Sequence, residues 1–518
     1  MDETAHLIVA LARAAPPLIE QARRAKAAGA DLVELRVDQI GDFAAVEGFL
    51  KVERPLPCIL TVRSRSEGGY WDDDDAARVS LIQYLGLFGP DFVDVELETW
   101  GRSANLRQKI GLVSERSDGV SGSGRSKGGL ILSYHDLNGT PDDARLREKM
   151  RELTEAPCQI AKAVFTCRDV TDAVRILAAA REAYVSKPLI ALGMGEAGLL
   201  TRVLAGKLGL FGAFAALERG AESAPGQPTV AEMLGSYRWR EISNSTHIYG
   251  VIGWPVSQSL SPALHNLAMR EDEIDGVYLP LPVLPTFEAF AAFMDRVTAA
   301  DWLDASGFSV TIPHKEHALR WLRQRGASVD AAGEQCGAVN TLIRSADGAW
   351  SGANTDVPGL LAGLRGSPAI GAESLAGRVV RVLGSGGAAR AAVVALRSEG
   401  AEVIVYGRSA DKAAMLAAEL EVGWVPWNER RIGQGEILIN CTPVGLVPAV
   451  EETPLPRELI SAGAIVFDTI YNPAQTRLLR EAAARGCVTI GGLEMFRAQA
   501  GLQYRCWHGR DLPRSAIV

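Results

Sequence analysis

The chain has 518 residues, enough for two to four domains of ordinary size. Its 47% hydrophobic and 22% charged content describes a globular protein with an ample core, and a net charge of −8 without a basic stripe argues against nucleic acid as a partner. Seven cysteines form no C-x-x-C pair and no metal-ligand spacing, and read as reduced thiols of a cytoplasmic protein; the apolar run from Leu7 leaves no room for a signal or transit peptide, and no stretch is apolar enough for a membrane span.

In chain order, short apolar runs at Leu7–Leu11, Leu32–Val37, Cys58–Arg63, Phe92–Leu97, Leu130–Tyr134, Ile160–Phe165, Pro188–Leu192 and Leu210–Leu217 predict eight strands. Helix-like stretches such as Leu18–Ala28 and Thr171–Tyr184 lie between them, so residues 1–238 are expected to form a (β/α)8 TIM barrel. The stretch Gly119–Gly129, rich in Gly and Ser, reads as a loop. The run Asp72–Asp75 reads as a solvated helix start, since no partner motif supports a metal site. Near Ser236–His247 the pattern stops, which predicts a linker. An α/β unit then covers 247–355, completed by 491–518, and a second α/β unit runs over 356–490 from the strand at Arg378–Leu383.

In a barrel of this kind reactive groups sit at the C-terminal ends of strands. Glu34 and Arg36, Arg63, Glu96, His135 and Lys162 all fall there, and Arg202 and Ser223–Gln227 follow the last two strands. Lys162 stands inside the apolar run Ile160–Phe165. It reads either as a strand-edge lysine that snorkels to solvent or as an amine desolvated for Schiff-base chemistry. Three arginines and a lysine at one mouth point to an anionic substrate, most simply a carboxylate, although Glu34, Arg36 and Arg63 also fit a structural salt bridge. In order, V-E-L-R-V-D, T-V-R-S-x-x-E-G-G, S-Y-H-D, the strand lysine, G-M-G-E-A-G-L-L-T-R and S-A-P-G-Q resemble type I 3-dehydroquinate dehydratase over nearly all of residues 5–235. The resemblance implies an imine on Lys162, proton movement by His135 and orientation of His135 by Glu34. It further implies that Arg36, Arg63 and Arg202 hold the substrate's carboxylate and hydroxyls, and that Met194, Ser223 and Gln227 line a lid. With the imine as electron sink no metal is implied.

In the second half, Val379–Leu383 leads through Gly384, Ser385, Gly386 and Gly387 into Ala388, Ala389 and a helix start. Such a turn lets backbone N–H groups approach a pyrophosphate, the mark of a Rossmann domain. The next strand ends in Gly407-Arg408-Ser409 rather than an acidic residue. Arg408, with Lys412 a turn later, therefore favours the 2′-phosphate of NADP over NAD, or else is a basic helix cap. Ser259, Ser261, Thr311, Lys315, Asn340, Thr355 and Asp356 supply hydroxyls, an amide and a Lys/Asp pair, a set that suits a small polyol acid. Their motifs, followed by Asn440-Cys441-Thr442-Pro443, Asp468–Pro473 and Glu494–Gln499, resemble shikimate dehydrogenase across 247–510. That resemblance implies that Lys315 and Asp356 flank the reacting oxygen, that Tyr471 and Gln499 join the substrate contacts, and that Asn440 and Thr442 line the cofactor side. Gln258 departs from the family, where many relatives carry histidine.

The whole chain resembles the bifunctional dehydratase–dehydrogenase family of plants. It implies a lyase and oxidoreductase of the shikimate pathway, which feeds chorismate and aromatic amino acid biosynthesis, acting on 3-dehydroquinate, 3-dehydroshikimate and shikimate with NADPH, and no membrane partner. A ligand-sensing regulator on the same folds is the competing reading. The intact Lys162, His135, Lys315 and Asp356, and the lack of a DNA-binding motif, argue against it. A quinate-preferring second half is a closer rival.

Overall fold

The computed structural model describes residues 5–516 apart from 73, 117–128 and 184–186. All but Gly129 of the Gly/Ser-rich stretch, and Tyr184 of the second helix, therefore lie outside the described residues. The chain forms two compact units, one of Met1–Ile248, Asp275–Leu284 and Ala292–Asp304, the other of Tyr249–Ile274, Pro285–Ala291 and Ala305–Val518.

The first unit holds eight strands: β1 (His6–Leu11), β2 (Leu32–Arg36), β3 (Cys58–Thr61), β4 (Phe92–Glu96), β5 (Gly129–Asp136), β6 (Ile160–Thr166), β7 (Leu189–Met194) and β8 (Gly212–Ala215). They pair in the order β7-β6-β5-β4-β3-β2-β1-β8. Phe211 N donates to Leu189 O at 2.9 Å, bringing β8 to the start of β7, so the sheet is a nearly closed parallel barrel. Strands β2, β3 and β7 are buried at every residue, which is why they read as continuous apolar runs rather than as alternation. The period of two puts Glu34 with Arg36, Thr61 with Arg63, Asp94 with Glu96, and Ser133 with His135 on one face each.

The helices between them start where short polar side chains cap them. Asp42 accepts from Ala45 N, Asp74 from Ala77 N and Asp142 from Arg145 N. The aspartate run does start a helix, Asp75–Gly86, but Asp75 itself is bonded inward to Arg78 at 2.8 Å. Strand β3 stops two residues before the predicted Arg63 because Arg63 N leaves the ladder and donates to Asp38 Oδ1 at 3.2 Å. The predicted linker is not a free tether. Trp239 is 3% exposed and its Nε1 donates to Arg202 O at 3.0 Å, while Arg240 bonds Asp31 and Gly29 O. Composition hid this, because one buried indole outweighs the polar residues around it.

In the second unit, strands Ala305–Val310, Thr341–Arg344 and Trp350–Ala353 run antiparallel in that order. A parallel six-stranded sheet follows. Val379–Leu383 lies between Glu402–Tyr406 and Ile437–Asn440, with Gly423–Trp424 beyond the first and Ile465–Asp468 and Val488–Ile490 beyond the second. The order reverses between Val379–Leu383 and Ile437–Asn440, the switch point where open α/β sheets bind ligands. The closing helix Leu493–His508 packs on Asp356–Arg365, and a Cβ at Gly359 would come within 2.9 Å of Gln499 Cβ.

Trp239→Ala should lower the stability of the first unit by about 3–5 kcal/mol. A urea titration with probes in each unit should show that unit's transition alone moving to lower denaturant.

Candidate active sites

Lys162 projects from the middle of β6 and is 5% exposed. Its Nζ donates to Asp94 Oδ2 at 2.8 Å, lies 3.4 Å from Glu34 Oε1, and sits 4.6 Å above the Phe214 ring. It does not snorkel: the aromatic face and two carboxylates hold the ammonium inside the barrel. Asp94 is fixed from behind by Arg63 Nη2 at 2.8 Å and Ser133 Oγ at 2.6 Å. Burial alone would raise its carboxyl, but the charges of Arg63 and Lys162 win and hold it well below the usual carboxylate range. Glu34 accepts from Thr61 Oγ1 at 2.9 Å.

His135 ends β5. Glu67, not Glu34, is the carboxylate that holds it, with Oε2 at 2.9 Å from Nδ1 and accepting the His135 backbone N–H at 3.0 Å. This corrects the role expected of Glu34, whose reach is taken by Thr61 and Lys162 on its own side of the barrel. Burial, then the charges of Arg63 and Lys162, hold the imidazole well below its usual range. It is uncharged near neutral pH, and with Nδ1 engaged its Nε2 is the nitrogen left to take a proton. Burial pushes Glu67 up to about 8 despite the opposing charge of Arg63.

The three arginines differ. Arg36 forms a bidentate pair with Asp38 at 3.1 and 2.9 Å, and Arg63 is shared among Asp94, Glu96 and Ser133. Arg202 is 1% exposed and has no carboxylate partner among the described residues. It donates to Phe214 O at 3.3 Å and Gly193 O at 3.2 Å, its Nε is unsatisfied, and burial lowers it to about 10. A buried cation so poorly compensated leaves a demand for negative charge unmet. Met194 ends β7 beside it in the chain. The turn at 223–227, expected to act as a lid, is tied down by backbone. Gly195 N donates to Pro225 O at 3.0 Å, and Gly226, at φ +75°, leaves no room for a Cβ, which would fall 2.2 Å from Gly195 O. Ser223 and Gln227 bond each other at 3.0 Å.

In the second unit Lys315 opens helix Lys315–Gln324 and Asp356 opens Asp356–Arg365. Lys315 Nζ lies 2.5 Å from Asp356 Oδ2. Asn340 Nδ2 donates to Asp356 Oδ1 at 2.8 Å and to Thr355 Oγ1 at 3.0 Å, so the carboxylate is held from two sides. Gln503, which the sequence reading passed over, reaches Asn340 O at 3.1 Å and Thr341 Oγ1 at 3.2 Å. Ser259 is hydrogen-bonded to Tyr471 and its Oγ accepts from Ser261 N at 3.3 Å. Thr311 N donates to Ile252 O at 2.9 Å, and Gln499 Nε2 to Phe496 O at 3.1 Å.

Gly387 begins the helix after the glycine turn, and a Cβ there would lie 3.2 Å from Lys315 Cδ, so the turn and the Lys/Asp pair are neighbours. Gly384 has φ +122°, with a would-be Cβ 3.0 Å from Cys441 O, and a Cβ at Gly386 would meet nothing within 4 Å. That open, backbone-lined start of a twelve-residue helix fits a pyrophosphate. Arg408 and Lys412 are exposed beyond strand Glu402–Tyr406, with no ion pair among the described residues. Asn440 is fully buried and spent on the turn itself, with Oδ1 accepting from Thr442 N and Oγ1 and Nδ2 donating to Asp468.

Comparison with known proteins matches residues 9–244 to type I 3-dehydroquinase and residues 251–342 to the shikimate dehydrogenase substrate binding domain. The chloroplastic bifunctional 3-dehydroquinate dehydratase/shikimate dehydrogenase of Arabidopsis thaliana is 34% identical over 512 residues, covering 96% of this chain and 81% of the plant protein. The chain belongs to this bifunctional family. Its dehydrogenase half is also 42% identical over 272 residues to the shikimate dehydrogenase (NADP(+)) of Pelobacter propionicus, covering 52% of this chain and 93% of that protein. A crystal structure of shikimate 5-dehydrogenase from Thermus thermophilus with NADP(H) and shikimate is 36% identical, with a TM-score of 0.46 over 52% of this chain and 97% of that one.

Within the dehydratase half, sequence reasoning missed Asp94 and the role of Glu67. Both were visible as signals: Asp94 stands two residues before Glu96, on the same strand face, and Glu67 is the acid of T-V-R-S-x-x-E-G-G. Between pH 4.5 and about 8 the folded chain holds a proton at Glu67 that the unfolded chain has released. Folding stability therefore falls as pH rises through that window. Glu67→Gln should flatten the slope, read from urea midpoints across the same range.

Proposed function

We propose that the first half dehydrates 3-dehydroquinate to 3-dehydroshikimate and the second reduces that product to shikimate with NADPH. The division is that expected above: residues 1–238, then 247–355 completed by 491–518, then 356–490. One observation carries the reading: a buried lysine and a half-buried one each meet a carboxylate that is braced from behind, Lys162 with Asp94 at 2.8 Å and Lys315 with Asp356 at 2.5 Å.

In the barrel, Lys162 passes a proton to neutral His135 and its amine adds to the substrate ketone, and the imidazolium returns that proton to the hydroxyl of the adduct. Loss of water leaves an imine whose positive nitrogen accepts the electron pair released at the adjacent carbon. Neutral His135 takes that carbon's proton and returns it to the departing hydroxyl, which leaves as water. Hydrolysis of the imine frees the product and restores Lys162. The under-compensated Arg202 takes the substrate carboxylate, with Arg36 and Arg63, each held by its own carboxylates, beside it, and Met194, Ser223 and Gln227 cover it.

In the second half, residues 384–389 with Asn440 and Thr442 behind them hold the dinucleotide, and Gly407, Arg408, Ser409 and Lys412 meet its 2′-phosphate. Bound NADPH supplies a hydride. Lys315 provides the proton that the new hydroxyl needs, and Asp356 keeps the lysine charged and aimed. Ser259, Ser261, Thr311, Asn340, Thr355, Tyr471 and Gln499 read the acid and its hydroxyls. A cytoplasmic location is part of the proposal and is supported by seven cysteines that are all free; no helix of the described residues is long and apolar enough to cross a membrane.

With 3-dehydroquinate and NADPH, the full chain should consume NADPH. Lys162→Ala should abolish this, and added 3-dehydroshikimate should restore it; Lys315→Ala should fail with either substrate. Turnover of neither substrate by folded wild type would overturn the reading and favour a sensor. Arg408→Ala should raise KM for NADPH about tenfold or more while leaving KM for shikimate near its wild-type value.

A further inference from the structure

Helix Asp75–Gly86 carries an arginine, Arg78, that is fully buried. Its Nη1 donates to Val62 O at 2.9 Å and is ion-paired with Glu96 Oε2; its Nη2 donates to Asp75 Oδ1 at 2.8 Å and to Thr99. The other oxygen of Glu96 faces the active site. Oε1 accepts from Ser64 N at 2.9 Å and lies 3.1 Å from Arg63 Nη1. Arg63 in turn braces Asp94 at 2.8 Å, and Asp94 holds Lys162 at 2.8 Å. The side chains Asp75, Arg78, Glu96, Arg63, Asp94 and Lys162 thus alternate in sign from a helix outside the barrel to the reactive amine.

We propose that Arg78 is a positioning residue of the dehydratase half, acting through Glu96 and Arg63 to keep Asp94 placed against Lys162. This rests on the reading of Lys162 as the imine-forming residue. The reason is charge compensation. Glu96 is 1% exposed and is shared by two guanidiniums, one on each oxygen. A buried carboxylate deprived of one cation draws the other more strongly. Without Arg78, Glu96 competes with Asp94 for Arg63. Asp94 then leans on Lys162 instead, and the lysine is held as an ammonium in a shifted position. The chemical step suffers, whereas substrate binding, centred on Arg202, does not.

The test measures dehydratase kcat and KM on the full chain for Arg78→Met, Glu96→Gln and the double variant. Borohydride trapping of substrate on the wild type and on Lys162→Ala runs beside them, and the dehydrogenase half reports on intact protein. Arg78→Met should lose roughly 10- to 100-fold in kcat with KM unchanged. The double variant should recover most of that loss, because the carboxylate that misdirects Arg63 is gone. Wild-type kcat in Arg78→Met, or a loss with raised KM that Glu96→Gln does not repair, would overturn the proposal and leave Arg78 a packing residue. If Arg78→Met does not fold, Arg78→Lys is measured instead. It keeps the charge but not the fork, and full kcat there would likewise overturn the proposal. Failure to trap wild type at Lys162 would count against the imine reading itself, separately from these outcomes.

Discussion

The barrel is organised around one electrostatic demand: an ammonium group must be kept inside a parallel sheet from which water is largely excluded. Moving such a charge out of water costs several kcal/mol even after relaxation, and only close opposite charges with good hydrogen bonds offset it. Asp94 answers Lys162, but a buried carboxylate makes the same demand of its own surroundings. Arg63 and Ser133 answer Asp94, and Glu96 answers Arg63. The requirement passes outward until Asp75 and Arg102 meet at partly exposed positions. Arg202 breaks the rule, being buried with no carboxylate partner among the described residues, and the proposed anionic substrate would supply the missing charge.

The second unit meets the same demand by other means. Lys315 is less deeply buried than Lys162 and has one carboxylate, Asp356, whose remaining oxygen is held by the neutral amide of Asn340. Neutral donors orient a carboxylate without adding charges that need compensation in turn. The network therefore continues through neutral groups, Asn340, Thr341, Thr355, Gln503 and Ser309, rather than through a chain of further charges. The two lysines suit the different tasks assigned to them. In the proposed reactions one gives up its proton to become a nucleophile, while the other only lends a proton and is reloaded.

Much of this was legible in the sequence, for physical reasons. Strands buried on both faces read as plain apolar runs, and polar residues within them stand out, as with Glu34, His135 and Lys162. The glycine turn at 384–387 is legible because a left-handed φ and a close backbone approach leave few other choices. What stayed hidden was pairing between distant segments. Nothing local to His135 says that Glu67, 68 positions earlier, is its partner rather than Glu34. Asp94 lay in plain sight on a strand, but its importance comes from what three other strands point at it. Trp239 hid for the opposite reason: one large side chain in a polar stretch leaves almost no trace in composition.

The turn at Pro225 and Gly226 is fastened by main chain, through Gly195 N to Pro225 O and the close approach of Gly226 to Gly195 O. A clasp made of peptide groups is indifferent to the side chains around it, provided the two glycines stay. The side chains of the same turn, Ser223 and Gln227 among them, can then be exchanged without loosening it. Anchorage and side-chain chemistry become separable properties of one short turn, so mutational drift can alter what it presents while its attachment persists.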